Sequence, residues 1–232
     1  MPRPCRLVQP DLPYHVTQRG NNKQAVFHDD EDRSVYLRLA TTQLAHIGVR
    51  ALAYCLMLNH VHWIVIPPSA DSLPLFFGRL HGKYSRYLNA KLNRTGALWQ
   101  ARYYSCALSP QHLRAALYYV EMNPVRANLA KQPEDFAWSS ARAHLNGNQT
   151  AQGLPLDWEF WQEQGGKSGW HELLGKPPSG HFANALRKST HAGRPMGDEA
   201  FIQAIEQSTG TQWTRAQHLG RRPQSRAAKA SG

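Results

Sequence analysis

The sequence predicts an α+β protein in which helices pack on an antiparallel or mixed sheet. Short apolar runs bounded by Gly, Pro and Asn predict strands. Longer stretches with apolar residues three and four positions apart predict helices. The two kinds follow one another in the order β-α-β-β-α-β-α, without an internal repeat. The 232 residues suffice for one sizeable domain and an appendage.

The first half of the chain supplies a strand, a helix and a strand pair. Residues 13–20 predict a strand that ends in a turn at Gly20. The acidic residues 29–32 suit the first turn of a helix, where the helix dipole favours negative charge. An apolar stripe continues this helix to Gly48, a typical stop. The apolar run 51–66 then predicts two buried strands with their bend at Leu58-Asn59.

The second half continues with a long helix, an aromatic segment and a shorter helix. Residues 73–92 carry one broad apolar face and predict a helix. Residues 97–107 are aromatic and partly alternating, which indicates an extended segment or strand. Pro110 opens the next helix, and Asn123-Pro124 is expected to end it.

After Trp138 the sequence pattern changes. Residues 147–153 and 165–179 are expected to be loop-rich, and helical patches recur at 182–188 and 199–207. We therefore divide the chain into a first domain (1–145), a loop-rich and helical extension (146–214) and a basic tail (215–232). The tail is expected to be disordered or to order on binding.

Charge and composition restrict the class of partner. The formal net charge of +11 indicates a polyanion, most simply nucleic acid, with a membrane surface as the alternative. No run reaches the roughly 20 apolar residues of a membrane span, and the first six residues lack an apolar signal core. We therefore expect a soluble cytoplasmic protein without membrane association. Three widely spaced cysteines suggest neither a disulfide framework nor a zinc knuckle.

Two histidines one residue apart are the first candidate for chemistry. Side chains alternate along a strand, so His60 and His62 project from one face, with Val61 and Trp63 on the other. Buried imidazoles are costly unless their nitrogens are satisfied, and a divalent metal ion satisfies them. The alternative is a pair of hydrogen-bonded or surface histidines.

The second candidate lies on the helix before Pro124. Tyr119 and Asn123 are four residues apart and share one side of that helix, whereas Tyr118 falls on the far side. If this helix packs beside the two histidines, Asn123 offers a carbonyl oxygen to the same ion and Tyr119 stands one turn away. A phenol has an ordinary pKa of about 10 and needs a polarised target, such as a phosphate bound to a metal. The alternatives are a packing role for Tyr119 and a simple helix-end role for Asn123.

Attack by Tyr119 on a DNA phosphodiester would leave a phosphotyrosine and a free 3′-hydroxyl. His15 lies on the first predicted strand and could approach this site, although an ordinary strand histidine is favoured.

These residues resemble known motifs. His60-Val61-His62 is similar to the histidine–hydrophobic–histidine motif of the HUH endonucleases, and residues 119–127 resemble the tyrosine motif of the REP-associated tyrosine transposases. The resemblance runs in order over roughly residues 5–145 and includes these further segments: Arg19–Asn22 with Phe27 and Asp29–Asp32, Leu58-Asn59, Arg94–Tyr103 and Trp138–Ser140.

The resemblance implies a ferredoxin-like core and single-stranded DNA folded as a hairpin from a repeated extragenic palindrome. It also implies Mg²⁺ or Mn²⁺ held by His60, His62 and Asn123, with Tyr119 as nucleophile. The related insertion-sequence enzymes usually have Gln where Asn123 stands, and the REP-associated branch has Asn. Those enzymes work as dimers, whereas the REP-associated branch can act as single subunits. We expect a monomer and leave a dimer open.

The expected function is a metal-dependent endonuclease and strand transferase that cuts single-stranded DNA beside a hairpin through a 5′-phosphotyrosine. The alternatives are a catalytically silent hairpin-binding regulator and, with little support, a hydrolase of small phosphoesters.

Basic and aromatic side chains are the candidates for DNA contacts. Cations can bind phosphates and aromatic rings can stack on unpaired bases, although a solvated surface or core packing explains any one of them as well. The candidates are Arg19, Lys23, Arg79, Lys83, Arg86, Arg94, Trp99, Arg102, Tyr103 and Arg126.

Overall fold

A computed structural model describes residues 8–213 of the chain. Its first six regular elements are β1 (Tyr14–Arg19), α1 (Asp30–Ile47), β2 (Arg50–Met57), β3 (His60–Ile66), α2 (Ser72–Lys91) and β4 (Tyr104–Ala107). The strands form one sheet in the order β2-β3-β1-β4, and every neighbouring pair is antiparallel. This β-α-β-β-α-β order is the ferredoxin-like arrangement. The predicted α+β class is confirmed, with an antiparallel rather than a mixed sheet.

Local sequence explains where these elements begin and end. The Asp29 side chain accepts a hydrogen bond from the Asp32 backbone N–H and caps α1. Gly48 closes the same helix in the left-handed conformation, with φ of +76°. Leu58 and Asn59 alone join β2 to β3, as the sequence predicted.

The two faces of the sheet bury different sets of side chains. Helices α1 and α2 cover one face, over a core that includes Val16, Trp63 and Phe76. The opposite face carries Ile64 and Cys106 and packs against later helices. The histidines of β1 and β3 (His15, His60 and His62) lie on this second face, because they alternate with residues of the core under α1 and α2. We call that core the first core and the one on the opposite face the second core.

The later elements are α3 (Pro110–Glu121), α4 (Asn123–Arg126), α5 (Ala141–Asn146), β5 (Thr150–Ala151), β6 (Leu154–Pro155), α6 (Trp158–Glu163), α7 (Gly166–Gly175), α8 (Phe182–Ala192) and α9 (Glu199–Thr209). Two single-turn 3-10 helices, Asn21–Lys23 and Pro133–Asp135, complete the described elements. Helices α8 and α9 lie where helical patches were predicted. The predicted tail, 215–232, falls outside the described residues.

The structure corrects three local expectations. Helix α3 ends at Glu121, close to the predicted stop, but the chain does not leave the helical region at Asn123, because a second helical turn, α4, starts there after Met122. The aromatic segment from 97 becomes a strand only at Tyr104. Residues 165–179 contain α7, although their glycines favour loops. Gly169 is required because a Cβ there would lie 1.9 Å from the Gln164 carbonyl oxygen.

No helix within residues 8–213 is both long and apolar enough to cross a membrane.

A buried carboxyl group connects α3 with the later helices. One oxygen of Glu121 accepts a hydrogen bond from the Ser140 hydroxyl at 2.5 Å and also lies 2.6 Å from His144 Nδ1. The other accepts from the Trp170 indole N–H at 2.7 Å. Ser140 also accepts from the backbone N–H of Tyr54 in β2. The network therefore holds α3 against the sheet, α5 and α7.

Removing this carboxyl group should destabilise the protein strongly. Glu121→Ala leaves the buried donors of His144 and Trp170 without their acceptor, and we expect a loss of about 3–5 kcal/mol in the free energy of unfolding. Chemical denaturation followed by tryptophan fluorescence measures it.

The matched control is Glu172→Ala, which removes an exposed carboxylate of α7 that pairs with Lys176. This control should leave stability unchanged within error. Equal stability of the two variants would contradict the role given to Glu121.

Candidate functional site

Strand pairing determines which side chains meet beside α3. In the antiparallel pairing of β1 with β3, Thr17 lies opposite His62 and Arg19 opposite His60. His15 is two residues from Thr17, so it lies diagonal to His62 on the same face. The rings of His60 and His62 have their centroids 4.9 Å apart and lie nearly perpendicular. The two histidines thus share one face, as predicted from their alternation.

Helix α3 brings the predicted nucleophile to these rings. Its buried side includes Leu117 and Val120, which pack into the second core and orient the helix on the sheet. Tyr119 is 4% exposed, and its ring centroid lies 5.5 Å from that of His62 and 5.8 Å from that of His15. Both contacts are edge-on. The structure therefore brings together the two separately predicted segments within one chain.

Hydrogen bonds to the Nδ1 atoms orient both histidines. His60 Nδ1 lies 2.7 Å from the side-chain oxygen of Asn59, an atom that can only accept, so the ring donates Nδ1–H. Asn59 is itself held by donation from its amide to the Lys23 carbonyl. His62 Nδ1 lies 2.9 Å from His15 Nε2. Among residues 8–213, neither His60 Nε2 nor His62 Nε2 has a hydrogen-bond partner.

Burial keeps these imidazoles neutral. Loss of hydration lowers the pKa of His60 to about 4, with a smaller contribution from the Arg19 charge. Loss of hydration also holds the pKa of His62 well below its usual range, reinforced by His60, His15, Arg126 and Arg187. A neutral imidazole with a free Nε2 lone pair is the form that binds a metal ion.

Asn123 is the third predicted ligand and follows Tyr119 by one helical turn. The residue is 8% exposed, and its amide nitrogen donates to the Tyr119 carbonyl at 2.9 Å, which leaves the side-chain oxygen as an acceptor. No three His, Cys, Asp or Glu side chains in the described part of the chain are grouped to hold a metal ion. The predicted ligand set is of another kind, with two imidazole nitrogens and one amide oxygen. These donors fit a divalent ion with open coordination positions.

Arg126 places positive charge beside the tyrosine. Its exposed guanidinium lies 4.7 Å from the centre of the Tyr119 ring, a cation–π contact. The same charge contributes to the lowered pKa of His62. A phosphate that approached the phenol would meet this cation.

Comparison with known proteins gives the relationship of the chain. The model of the family described as IS200-like transposases matches residues 8–123, half of the chain. The chain belongs to the IS200-like transposase family.

The search of solved structures gives one match that supports the fold and a weaker similarity. A REP-associated tyrosine transposase bound to a REP hairpin is 16% identical, with a TM-score of 0.50 over 63% of this chain and 86% of that one. A putative transposase from Deinococcus radiodurans R1 is 20% identical, with a TM-score of 0.37 over 56% of this chain and 98% of that one. No curated protein matches significantly. The family match confirms the resemblance drawn from the motifs.

The other candidate DNA contacts of this IS200-like transposase are spread over the surface and the interior. Arg19 is exposed beside His60, and Lys23 is exposed in the first 3-10 helix. Arg102 is exposed just before β4. Three cations are exposed on α2, which covers the opposite face of the sheet: Arg79, Lys83 and Arg86. The structure does not bring these three to the histidines.

Three further candidates are held by internal contacts. Arg94 is half-buried and donates to the side chains of Asn89 and Gln24. Trp99 and Tyr103 pack in the first core, where the Trp99 indole donates to the His81 carbonyl. These two rings therefore have the core-packing role that was the alternative to base stacking.

Sequence reasoning missed three residues near the site. His15 was judged an ordinary strand histidine, yet it contacts both His62 and Tyr119. Arg187 and Thr190 of α8 were not considered. Thr190 Oγ1 lies 2.7 Å from His15 Nδ1, and the Arg187 charge acts on His62. His15 is an even number of residues from Thr17 and Arg19, which lie opposite His62 and His60, so strand alternation places it on the same face. Nothing in the sequence links α8 to β1.

The buried histidines predict how stability depends on pH. Burial lowers the pKa of His15 and His81 to about 3 and that of His60 to about 4, whereas the unfolded chain binds these protons near ~6.5. Between these values the unfolded state holds more protons. The free energy of unfolding should therefore fall as pH drops from about 6.5 towards 4, by up to ~1.4 kcal/mol per group and pH unit. Urea denaturation at a series of pH values measures the slope.

The slope should be shallower in His60→Gln and unchanged in His46→Gln, a substitution at an exposed position of α1. This difference would assign part of the pH dependence to the site. A slope of zero in the unaltered protein over this range would refute it.

Proposed function

We propose that this protein is a metal-dependent endonuclease and strand transferase that acts on single-stranded DNA beside a hairpin, through a 5′-phosphotyrosine intermediate. The observation that carries the proposal is the packing of the Tyr119 ring against His62, with centroids 5.5 Å apart in one chain. Family membership supports DNA as the substrate, and the structural neighbour bound to a REP hairpin supports the hairpin form. The net charge of +11 agrees with a polyanionic partner.

The residues of the chain divide the work as follows. His60, His62 and Asn123 would hold Mg²⁺ or Mn²⁺, which supplies Lewis-acid stabilisation of charge on a phosphate oxygen when bound. The Tyr119 oxygen attacks phosphorus. The new O–P bond replaces the bond to the 3′ oxygen, the phenol proton leaves to solvent, and the 3′ oxygen takes up a proton. The resulting ester retains the energy of the broken bond, so a second 3′ end can reverse the step without a nucleotide triphosphate.

Charged residues at the site assist this step. Arg126 over the Tyr119 ring and Arg19 opposite His60 place positive charge where a phosphate would bind. We assign Arg126 and Arg19 to the scissile region. We propose that the candidates on α2 and in residues 94–103 make peripheral contacts where they are exposed.

We further propose that one subunit is sufficient. Tyr119 meets the histidines of its own chain, so no exchange of α3 between copies is required. Within this scheme, residues 1–145 form the catalytic domain and 146–214 an extension, and the protein acts on DNA in the cytoplasm.

Substitution of the nucleophile gives the decisive test. Tyr119→Phe keeps the ring contacts with His62 and His15 but removes the attacking oxygen. Cleavage of a labelled hairpin oligonucleotide with single-stranded flanks, in the presence of Mn²⁺, should fall at least ~1,000-fold. Binding of the same oligonucleotide should remain. The covalent protein–DNA adduct seen in a denaturing gel should disappear.

Tyr118→Phe is the matched control, since Tyr118 is the neighbouring half-buried tyrosine of α3. It should cleave like the unaltered protein. Cleavage by Tyr119→Phe would exclude the phosphotyrosine route. Hairpin binding without any cleavage by the unaltered protein would identify a silent regulator instead.

Metal binding can be tested without DNA. His60→Ala removes one proposed ligand from the partly exposed end of β3, and Mn²⁺ affinity measured by calorimetry should fall by more than the ~10–100-fold typical of changes around a ligand. Mn²⁺ should bind more tightly than Mg²⁺, because two of the three donors are nitrogen atoms. His46→Ala on α1 serves as control. Equal affinities of the two variants would remove His60 from the ligand set.

A further inference from the structure

A chain of buried hydrogen bonds runs from α8 to His62. Thr190 Oγ1 lies 2.7 Å from the carbonyl oxygen of Leu186 and 2.7 Å from His15 Nδ1. His15 Nε2 lies 2.9 Å from His62 Nδ1. Thr190 and His15 are each 1% exposed, and His62 is 5% exposed. Helix α8 lies beyond residue 123, where the family match ends, so the extension contributes directly to the surroundings of the site.

The direction of each hydrogen bond follows from the number of protons. The Thr190 hydroxyl has one proton, and its contact with the Leu186 carbonyl can only use it as donor, because the carbonyl can only accept. Towards His15 the hydroxyl oxygen therefore accepts, which places the His15 proton on Nδ1. The bare His15 Nε2 then accepts from His62 Nδ1–H. The proton of His62 is thereby on Nδ1, and its Nε2 carries a lone pair.

The opposite direction makes one hydrogen bond fewer. If Thr190 donated to His15 Nδ1, His15 would carry its proton on Nε2 and His62 would carry its proton on Nε2 as well. The contact between the Thr190 hydroxyl and Leu186 would then lack a proton. The first arrangement also leaves the second lone pair of the Thr190 oxygen for the Cys106 thiol, 3.2 Å away. In the first arrangement, each contact from Leu186 to His62 has one proton between its two atoms.

We propose that Thr190 and His15 are positioning residues that fix His62 in the tautomer whose Nε2 is free to bind a metal ion. The metal-binding role of His62 rests on the proposed function, whereas the tautomer is a property of the folded chain alone. His60 obtains the same arrangement from its sequence neighbour Asn59. The two proposed histidine ligands thus depend on different parts of the chain, and only His62 depends on the extension.

The first measurement reads the tautomer directly. Long-range ¹H–¹⁵N correlation spectra of the ¹⁵N-labelled, metal-free full chain distinguish a ring protonated on Nδ1 from one protonated on Nε2. We expect the Nδ1–H form for both His15 and His62. A His62 ring protonated on Nε2 in the unaltered protein overturns the proposal, and this measurement needs no variant.

The second measurement removes the hydroxyl that sets the direction. Thr190→Val keeps the shape of the side chain and should give a mixture of His62 tautomers and a Mn²⁺ affinity about 10–100-fold weaker. Thr190→Ser retains the hydroxyl and should restore both readouts. The matched control is Thr209→Val, because Thr209 makes the same hydrogen bond to the carbonyl four residues earlier on α9.

The outcomes separate this proposal from the proposed function. Unchanged tautomer and Mn²⁺ affinity in folded Thr190→Val would overturn the positioning role, even with cleavage intact. Expected tautomers in a protein that neither binds Mn²⁺ nor cleaves DNA would leave the hydrogen-bond chain in place and refute the nuclease. Amide correlation spectra of each variant verify that it is folded.

Discussion

The antiparallel pairing of β1 with β3 is the constraint on which the site depends. It places Thr17 opposite His62 and Arg19 opposite His60, and it brings His15 within hydrogen-bond distance of His62. A slip of one residue would turn both histidines of β3 towards α1 and α2. The apolar side chains on that other face, such as Trp63, oppose the slip because it would remove them from the core that they form with α1 and α2. The hydrophobic core on one side of the sheet thus holds the polar residues in place on the other.

Burial of polar groups on the second face is compensated by specific partners rather than by solvent. The three histidines stay neutral, and their Nδ1 atoms lie within hydrogen-bond distance of Asn59, His15 and Thr190. Glu121, two residues beyond Tyr119, is surrounded by donors from Ser140, His144 and Trp170. Each network joins the first 123 residues to later helices. The extension therefore belongs to the structure that positions the tyrosine, even though the family match stops before it.

Local periodicity was sufficient to predict the order of the first six strands and α-helices and to select the candidate residues, because His60 and His62 alternate on a strand and Tyr119 and Asn123 are one helical turn apart. That the two pairs meet was an inference from resemblance, and the structure shows it for the His62–Tyr119 contact. The hydrogen bond between His15 and Thr190 could not be predicted, since 175 residues separate them and only tertiary packing joins them. Trp99 illustrates a different difficulty, because an aromatic ring in a basic segment suits base stacking and core packing equally well.

The shorter side chain at position 123 has a structural consequence. The amide of Asn123 donates to the carbonyl of Tyr119 one turn earlier, which restricts the direction of its remaining oxygen. Glutamine, usual in the insertion-sequence relatives, has one more rotatable bond and gains reach at the expense of this restriction. The break between α3 and α4 at Met122 places Asn123 at the start of a new helical turn, against the backbone of the nucleophile's own turn. In this protein the proposed oxygen ligand and the tyrosine are thus held by one hydrogen bond as a single unit, so a displacement of α3 would move both together.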